Sequence, residues 1–363
     1  MSANNAADFN DALLQYGGRL TPSQLDVSCT TLMDKYRVHA YTLIRCFRNE
    51  HPRLPPIYFD YVNNTSLNAW TVKNIKGQYF IGMTYGAFVI LRLLFMRMLA
   101  DARALPEIGD PSRESSRLPL LDDLCVNTRL VELGAPKDPD RLKFAVTAFE
   151  AAFSFLIRHE LTHILHGHLE HPILKASGSI LAELDLFATS ASSSWTRQLM
   201  EYSADKYAAL TTASYLVSQI ADFLESPTIG SLSVHDAITQ YFVGECSLFR
   251  LFGDKAIAGR ELGAMNYPPV CFRQYEVMCT FCDRIKAYEN DFLTEEAGRS
   301  LADTFMMVET AFPVFTKGAF PIEAISEIAS PVGLAYRDKL AEGWRNELRN
   351  ELTDLHFANA LPE

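Results

Sequence analysis

A chain of 363 residues, 48% hydrophobic and 21% charged, has an ordinary globular composition and length enough for one large domain or two smaller ones. Its net charge of −11 argues against a polyanionic partner such as nucleic acid. The seven cysteines are odd in number and scattered. Cys279 and Cys282 form the only C-x-x-C, which excludes a zinc ribbon and points to core thiols in a reducing compartment.

The first residues, MSANNAADFNDALL, have neither a basic region nor an apolar core, so no signal peptide is expected. Residues 22–50 read as a helix opened by Thr21-Pro22-Ser23 and broken by Pro52, Pro55 and Pro56. Strand-like pieces follow at Ile57–Val62, Trp70–Val72 and Gln78–Thr84, then a helix from Ala87 to about Arg103. The most membrane-like stretch, Phe80–Leu99, carries Arg92 and Arg97 and is punctuated by Gly82 and Gly86. It suits a strand followed by a buried helix, and a soluble cytoplasmic protein without membrane insertion is expected. Residues 101–140, rich in Pro, Asp, Arg and Ser, read as a loop or lid.

A long Ala-rich helix from about Asp140 to His166 carries His159-Glu160-Leu161-Thr162-His163. With about 3.6 residues per turn, the two imidazoles share a face and can converge on one ion, and Glu160 lies beside them, placed to act on water without ligating. This is the H-E-x-x-H arrangement of a zinc hydrolase. A catalytic zinc takes three protein ligands. The metzincin continuation fails, because His166 and Leu169 stand where it requires Gly and His. The segment Met200-Glu201-Tyr202-Ser203-Ala204-Asp205 supplies a second helix with two carboxylates on one face. Glu201 is the expected third ligand, and Asp205 the acceptor that orients a ligating histidine, His159. His166, His168 and His171 more simply pack or hydrogen-bond locally than form an auxiliary metal patch.

Residues 172–196, ending in a Ser-rich run, read as an insert over the cleft. Thereafter the chain reads as helical: Arg197–Leu224, Val234–Phe252, Pro269–Tyr288, Glu295–Phe315 and Tyr336–Phe357. The expected fold is mostly α with a small β-sheet, in three parts. These are an N-terminal helical segment (1–56), a zincin-like core (57–230) and a C-terminal helical region packed on that core (231–363).

HELTH followed by His166-Gly167-His168 and then EYSADKYA resembles the gluzincin metallopeptidases of the HtpX and CAAX-prenyl-protease type, most closely their soluble minigluzincin members. Asn68-Ala69-Trp70 and the strand Gly77–Gly86 resemble the family's "NAF" segment and the edge strand after it. Tyr267-Pro268-Pro269-Val270-Cys271-Phe272-Arg273 resembles its "HPPxxxR" segment, with Tyr267 in place of the family's His. The likeness runs over roughly residues 60–285, with a poor match between 101 and 140. A looser resemblance is to the phage-exclusion Lit peptidases.

The resemblance implies a zinc-dependent endopeptidase holding one Zn2+ per chain through His159, His163 and Glu201, with Glu160 as general base. A protein or peptide substrate would add as a strand to the edge formed by Tyr79, Phe80, Ile81 and Gly82. Tyr267, then Arg273, then His235 with Tyr241 are candidates for stabilising the oxyanion. Arg273 has a second reading, as the ion-pair partner of Asp205 or Glu201. Two other functions stay open: a proteolytically silent binding or sensing module that keeps the zinc fold, and a stress- or phage-triggered protease of a host protein.

Overall fold

The computed structural model describes residues 3–116, 134–176, 180–182, 191–225, 234–252, 265, 267–287, 291–315 and 326–362. Ahead of the sheet, α1 spans Ala3–Ala12 and α2 Val27–Glu50, the latter opened by Asp26, whose carboxylate accepts from the Cys29 amide. The strands are β1 (Ile57–Val62), β2 (Ala69–Lys73) and β3 (Tyr79–Thr84), followed directly by α3 (Tyr85–Leu99). Thr84 ends β3 and caps α3 through its hydroxyl. Next come α4 (Pro139–Leu165), the short α5 (Pro172–Ala176) and β4 (Ile180–Ala182). The rest is helical: α6 (Ala191–Glu225), α7 (Val234–Leu251), α8 (Val270–Lys286), α9 (Asp291–Phe315) and α10 (Pro331–Gly343). The last continues through a π-helical turn, Trp344–Leu348, to Arg349–Glu351. The fold is mostly helical with one small sheet, as the composition and periodicity indicate.

The sheet runs β1-β3-β2-β4. β3 pairs parallel with β1 and antiparallel with β2, so it lies inside the sheet with both edges hydrogen-bonded. This corrects the expectation that Tyr79–Gly82 form a substrate-binding edge. Their alternation has another cause. Tyr79, Ile81 and Met83 face the main core, whereas Phe80 joins Phe9, Leu13, Tyr58, Val62, Trp70 and Val72 in a smaller cluster under α1. A Cβ on Gly82 would stand 2.6 Å from a Leu13 methyl, so glycine there lets α1 lie flat on the sheet.

The 172–196 segment, read as an insert over the cleft, adds to the sheet where it is described. Its described part holds α5 and β4, and β4 pairs antiparallel with β2 through Trp70–Ala182, Thr71–Leu181 and Val72–Ile180. The remainder, 177–179 and 183–190, lies outside the described residues, as does 117–133 of the 101–140 loop. The described part of that loop is held by Arg141 of α4, whose guanidinium donates to the carbonyls of Leu99, Asp101, Ala104, Leu105 and Ile108.

Helix α4 is the axis of the molecule, packed by α3, α6, α7 and β2. Asp138 caps its N-terminus by accepting from the Asp140 and Arg141 amides, and Pro139 occupies its first turn. Gly167, at φ +76°, ends it in the left-handed conformation that favours glycine. Gly244 of α7 permits close crossing, since a Cβ there would meet the Ala148 carbonyl at 2.5 Å. One buried cluster draws on the 1–56, 57–230 and 231–363 segments alike, from Leu20 to Leu361. Among the described residues no helix is long and apolar enough to cross a membrane, and every cysteine is a free thiol.

Candidate metal centre

The last two turns of α4 and the middle of α6 face each other across the core. His159, His163 and Glu201 meet there, each about 1% exposed, with one ligand atom of each within 4.8 Å of the others. The two Nε2 atoms stand 2.9 Å apart. Glu201 Oε2 lies 3.3 Å from His159 Nε2, and Oε1 lies 3.6 Å from His163 Nε2. Side-chain spacing on two helices produces this convergence, as the sequence implies.

The surrounding hydrogen bonds fix which ring nitrogens point inward as lone pairs. His159 Nδ1 is 2.9 Å from Asp205 Oδ1, so it carries the proton and leaves Nε2 bare. On the other side, Ser203 donates to the Met200 carbonyl at 3.0 Å. With its single proton spent there, Ser203 Oγ accepts from His168 Nε2 at 3.1 Å, and His168 Nδ1 accepts from His163 Nδ1 at 2.7 Å. His163 Nε2 is then bare as well. Two imidazole lone pairs and a carboxylate aimed at one point repel one another unless a cation lies between them. Two neutral histidines and one carboxylate form a donor set that could hold a metal ion.

Electrostatics agree. Burial, with His159, His168 and Arg273 nearby, holds His163 well below the usual histidine range, and burial does the same for His168. Both rings are therefore neutral, as ligation and its support require. Burial pushes the Asp205 carboxyl up, but Arg273 and His159 overcome it and hold Asp205 below its ordinary value, hence ionised. Arg273 reaches in from α8, donating through Nε at 2.7 Å and Nη2 at 2.9 Å to the two Asp205 oxygens, with Nη2 3.5 Å from Glu201 Oε2. Its guanidinium packs over Phe249 and Phe252. Two buried carboxylates thus face one guanidinium, and a bound metal cation would offset the remaining negative charge. The residues fit a metal ion.

No family model, no curated protein and no solved structure matches this chain. The site's chemistry therefore rests on its own geometry.

Glu160 is also about 1% exposed. Thr71 of β2 donates to its carboxylate Oε2, and the same hydroxyl lies 3.1 Å from the Glu160 carbonyl. Sequence reasoning missed Thr71, because nothing local to it marks a contact with a helix 89 residues away. It expected His168 to pack or hydrogen-bond locally without naming a partner, and that partner is His163.

Other expected residues lie elsewhere. Tyr267 is half-buried just ahead of Pro268-Pro269, which open α8. His235 is committed to α9, with Nδ1 3.0 Å from Ser300 Oγ and Glu296 and Asp303 close by. Tyr241 stands beside Arg158, Tyr215 and Glu245. Tyr79 donates to Glu170, which also accepts from Lys73 at 2.7 Å. The three histidines after the motif do not converge. His166 stacks on Trp344 and meets Tyr207 edge-on, His168 serves His163, and His171 pairs with Glu351 at 2.6 Å.

Proposed function

We propose that the chain is a zinc-dependent endopeptidase of the gluzincin kind, holding one Zn2+ through His159, His163 and Glu201. The observation that carries this reading is the convergence of two bare Nε2 atoms and one carboxylate with Glu160 on the adjoining helical position. When bound, the ion would supply Lewis acidity toward a substrate carbonyl and acidify water. Glu160 would take the proton of the attacking water at its carboxylate and pass it to the leaving amine, with Thr71 fixing the rotamer of that carboxylate. Asp205 and His168 hold the two histidines in the ligating tautomer, and Arg273 acts as the positioning residue that keeps Asp205 ionised and in place. This favours the ion-pair reading of Arg273 over a role at the oxyanion, a position for which Tyr267 stays the first candidate. The substrate-bearing edge is better sought on β4, whose outer side is the sheet edge on the β2 flank, than on the interior β3. An extended protein segment added there would pair with β4, with β4 between it and β2, the strand that touches α4.

The test is metal content by mass spectrometry together with a proteome-wide cleavage profile of wild type against Glu160→Gln. About one zinc per chain and cleavage abolished in a folded Glu160→Gln support the reading. A chain purified from zinc-supplemented medium without metal overturns it. One observation favours the second reading, a proteolytically silent metal-fold module: all four central side chains are about 1% exposed. Zinc retained without any Glu160-dependent cleavage would select it. A stress- or phage-triggered host-protein protease would combine the closed site with toxicity, on overexpression, that depends on Glu160.

A further inference from the structure

Arg158 immediately precedes the first metal-site histidine, yet its side chain meets Thr212 and Tyr215, further along α6 than Glu201 and Asp205. It is 5% exposed and has no carboxylate within ion-pair distance among the described residues. Its Nη1 meets only the Thr212 hydroxyl at a long 3.4 Å, its Nε has no hydrogen-bond partner, and the guanidinium lies 5.4 Å from the Tyr215 ring centre. A buried guanidinium so poorly compensated is costly.

The carboxylate that could compensate it does not. Glu245 is fully buried and neither of its oxygens has a hydrogen-bond partner. Burial pushes it up to about 8 against the pull of Arg158. Near neutral pH it is largely protonated and leaves the Arg158 charge standing. Arg158 in turn lines a cavity of about 670 Å³ walled mainly by α2, α4 and α6, with one residue each from α7 and α8, within the usual range for small-molecule sites. Arg284 lines the same cavity, donating to Ser214 at 2.9 Å. Of the two acids in the wall, Glu150 is bound by Lys35 at 3.1 Å and Tyr36 at 3.0 Å, and Glu50 sits at the end of α2. Thr147, Ser154, Thr211 and Tyr241 add hydroxyls to the lining.

We propose that this cavity binds a small molecule bearing an oxyanion, a phosphoryl or carboxylate group, seated on Arg158. The guanidinium supplies the forked donor that such groups match, and the hydroxyl-lined walls accommodate a polar body. This site is separate from the metal centre and does not depend on its reading. An occupant would nevertheless bridge α4 and α6, the helices that carry His159, His163 and Glu201.

Cys46, an exposed thiol in the cavity wall, provides the readout. The full chain is alkylated with iodoacetamide, and modification of Cys46 is followed by peptide mass spectrometry with inorganic phosphate, AMP, citrate or chloride present. Saturable protection by phosphate and AMP, reaching roughly tenfold at ten times the dissociation constant, assigns a phosphoryl ligand; protection by citrate alone assigns a carboxylate. Arg158→Gln should abolish protection and Arg158→Lys should retain part of it. Should Arg158→Gln not fold, Ser218→Trp at the exposed rim should remove protection by filling the cavity. Protection by none of the oxyanions, by all salts equally, or undiminished in Arg158→Gln or Ser218→Trp overturns the proposal. Metal-free protein serves equally, so failure here is distinct from failure of the peptidase reading.

Discussion

His163 and His168 face each other through their Nδ1 atoms at 2.7 Å, five residues apart across the Gly167 turn. The contact makes His168 the acceptor that selects the His163 tautomer able to ligate, with Ser203 completing the relay at 3.1 Å. His168→Ala should therefore weaken metal binding by about 10–100-fold, the usual effect of removing a group that orients a ligating histidine. Competition with a fluorescent zinc chelator measures it. Affinity equal to wild type would show that His168 only packs.

Thr71→Val keeps the shape of the β2 residue and removes the hydroxyl that holds Glu160. Metal affinity should be unchanged, since no ligand is touched. Turnover should fall by about 10²-fold, the effect of letting a reacting group drift from its working position. The check is kcat against a peptide found in the cleavage profile, with bound zinc assayed in the same preparation.

These two residues mark where the sequence stopped being informative. His159, His163, Glu201 and Asp205 were legible because helical spacing alone places them on facing stripes, and spacing is local information. Arg273 was singled out through the resemblance of its segment to HPPxxxR, as an oxyanion candidate whose other reading was an ion pair with Asp205 or Glu201; 68 residues separate it from Asp205, so no local spacing could choose between the two. Thr71 was not, because strand order is non-local. Alternation shows that Tyr79–Thr84 is a strand but cannot say which strands flank it, so an interior strand read as an edge. β4 escaped notice because three residues, Ile180–Ala182, are too few to display a period. The C-terminal helices were visible from periodicity and were expected to pack on the core, although which of them would cross α4 was not.

Arg273 and Asp205 form a forked pair deep in the core, both less than 5% exposed. Removing one charge leaves the other buried and uncompensated. Arg273→Met should cost about 3–5 kcal/mol of stability, whereas the double change with Asp205→Asn should recover part of that loss. Urea denaturation of the four metal-free proteins in the cycle measures the coupling. Additive losses would mean that Arg273 answers chiefly to Glu201.

Glu245 and His166 set opposite limbs of the pH dependence of stability. Burial raises Glu245 from 4.5 to about 8, so the folded state holds a proton that the unfolded chain has released above pH 4.5. Its contribution is complete below that pH and is lost as pH rises toward about 8. Burial lowers His166 from 6.5 to about 3, so the unfolded chain takes up a proton first as pH falls. That contribution is complete above pH 6.5 and is lost on acidification toward about 3. Above pH 6.5, where the His166 contribution is nearly complete, metal-free protein should therefore lose stability as pH rises toward 8. Glu245→Gln should flatten this limb and gain a few kcal/mol relative to wild type at pH 8, on the order of the shift itself. Melting temperatures of both proteins across pH 5–8 measure it, and an alkaline limb equally steep in Glu245→Gln would place its origin in another group.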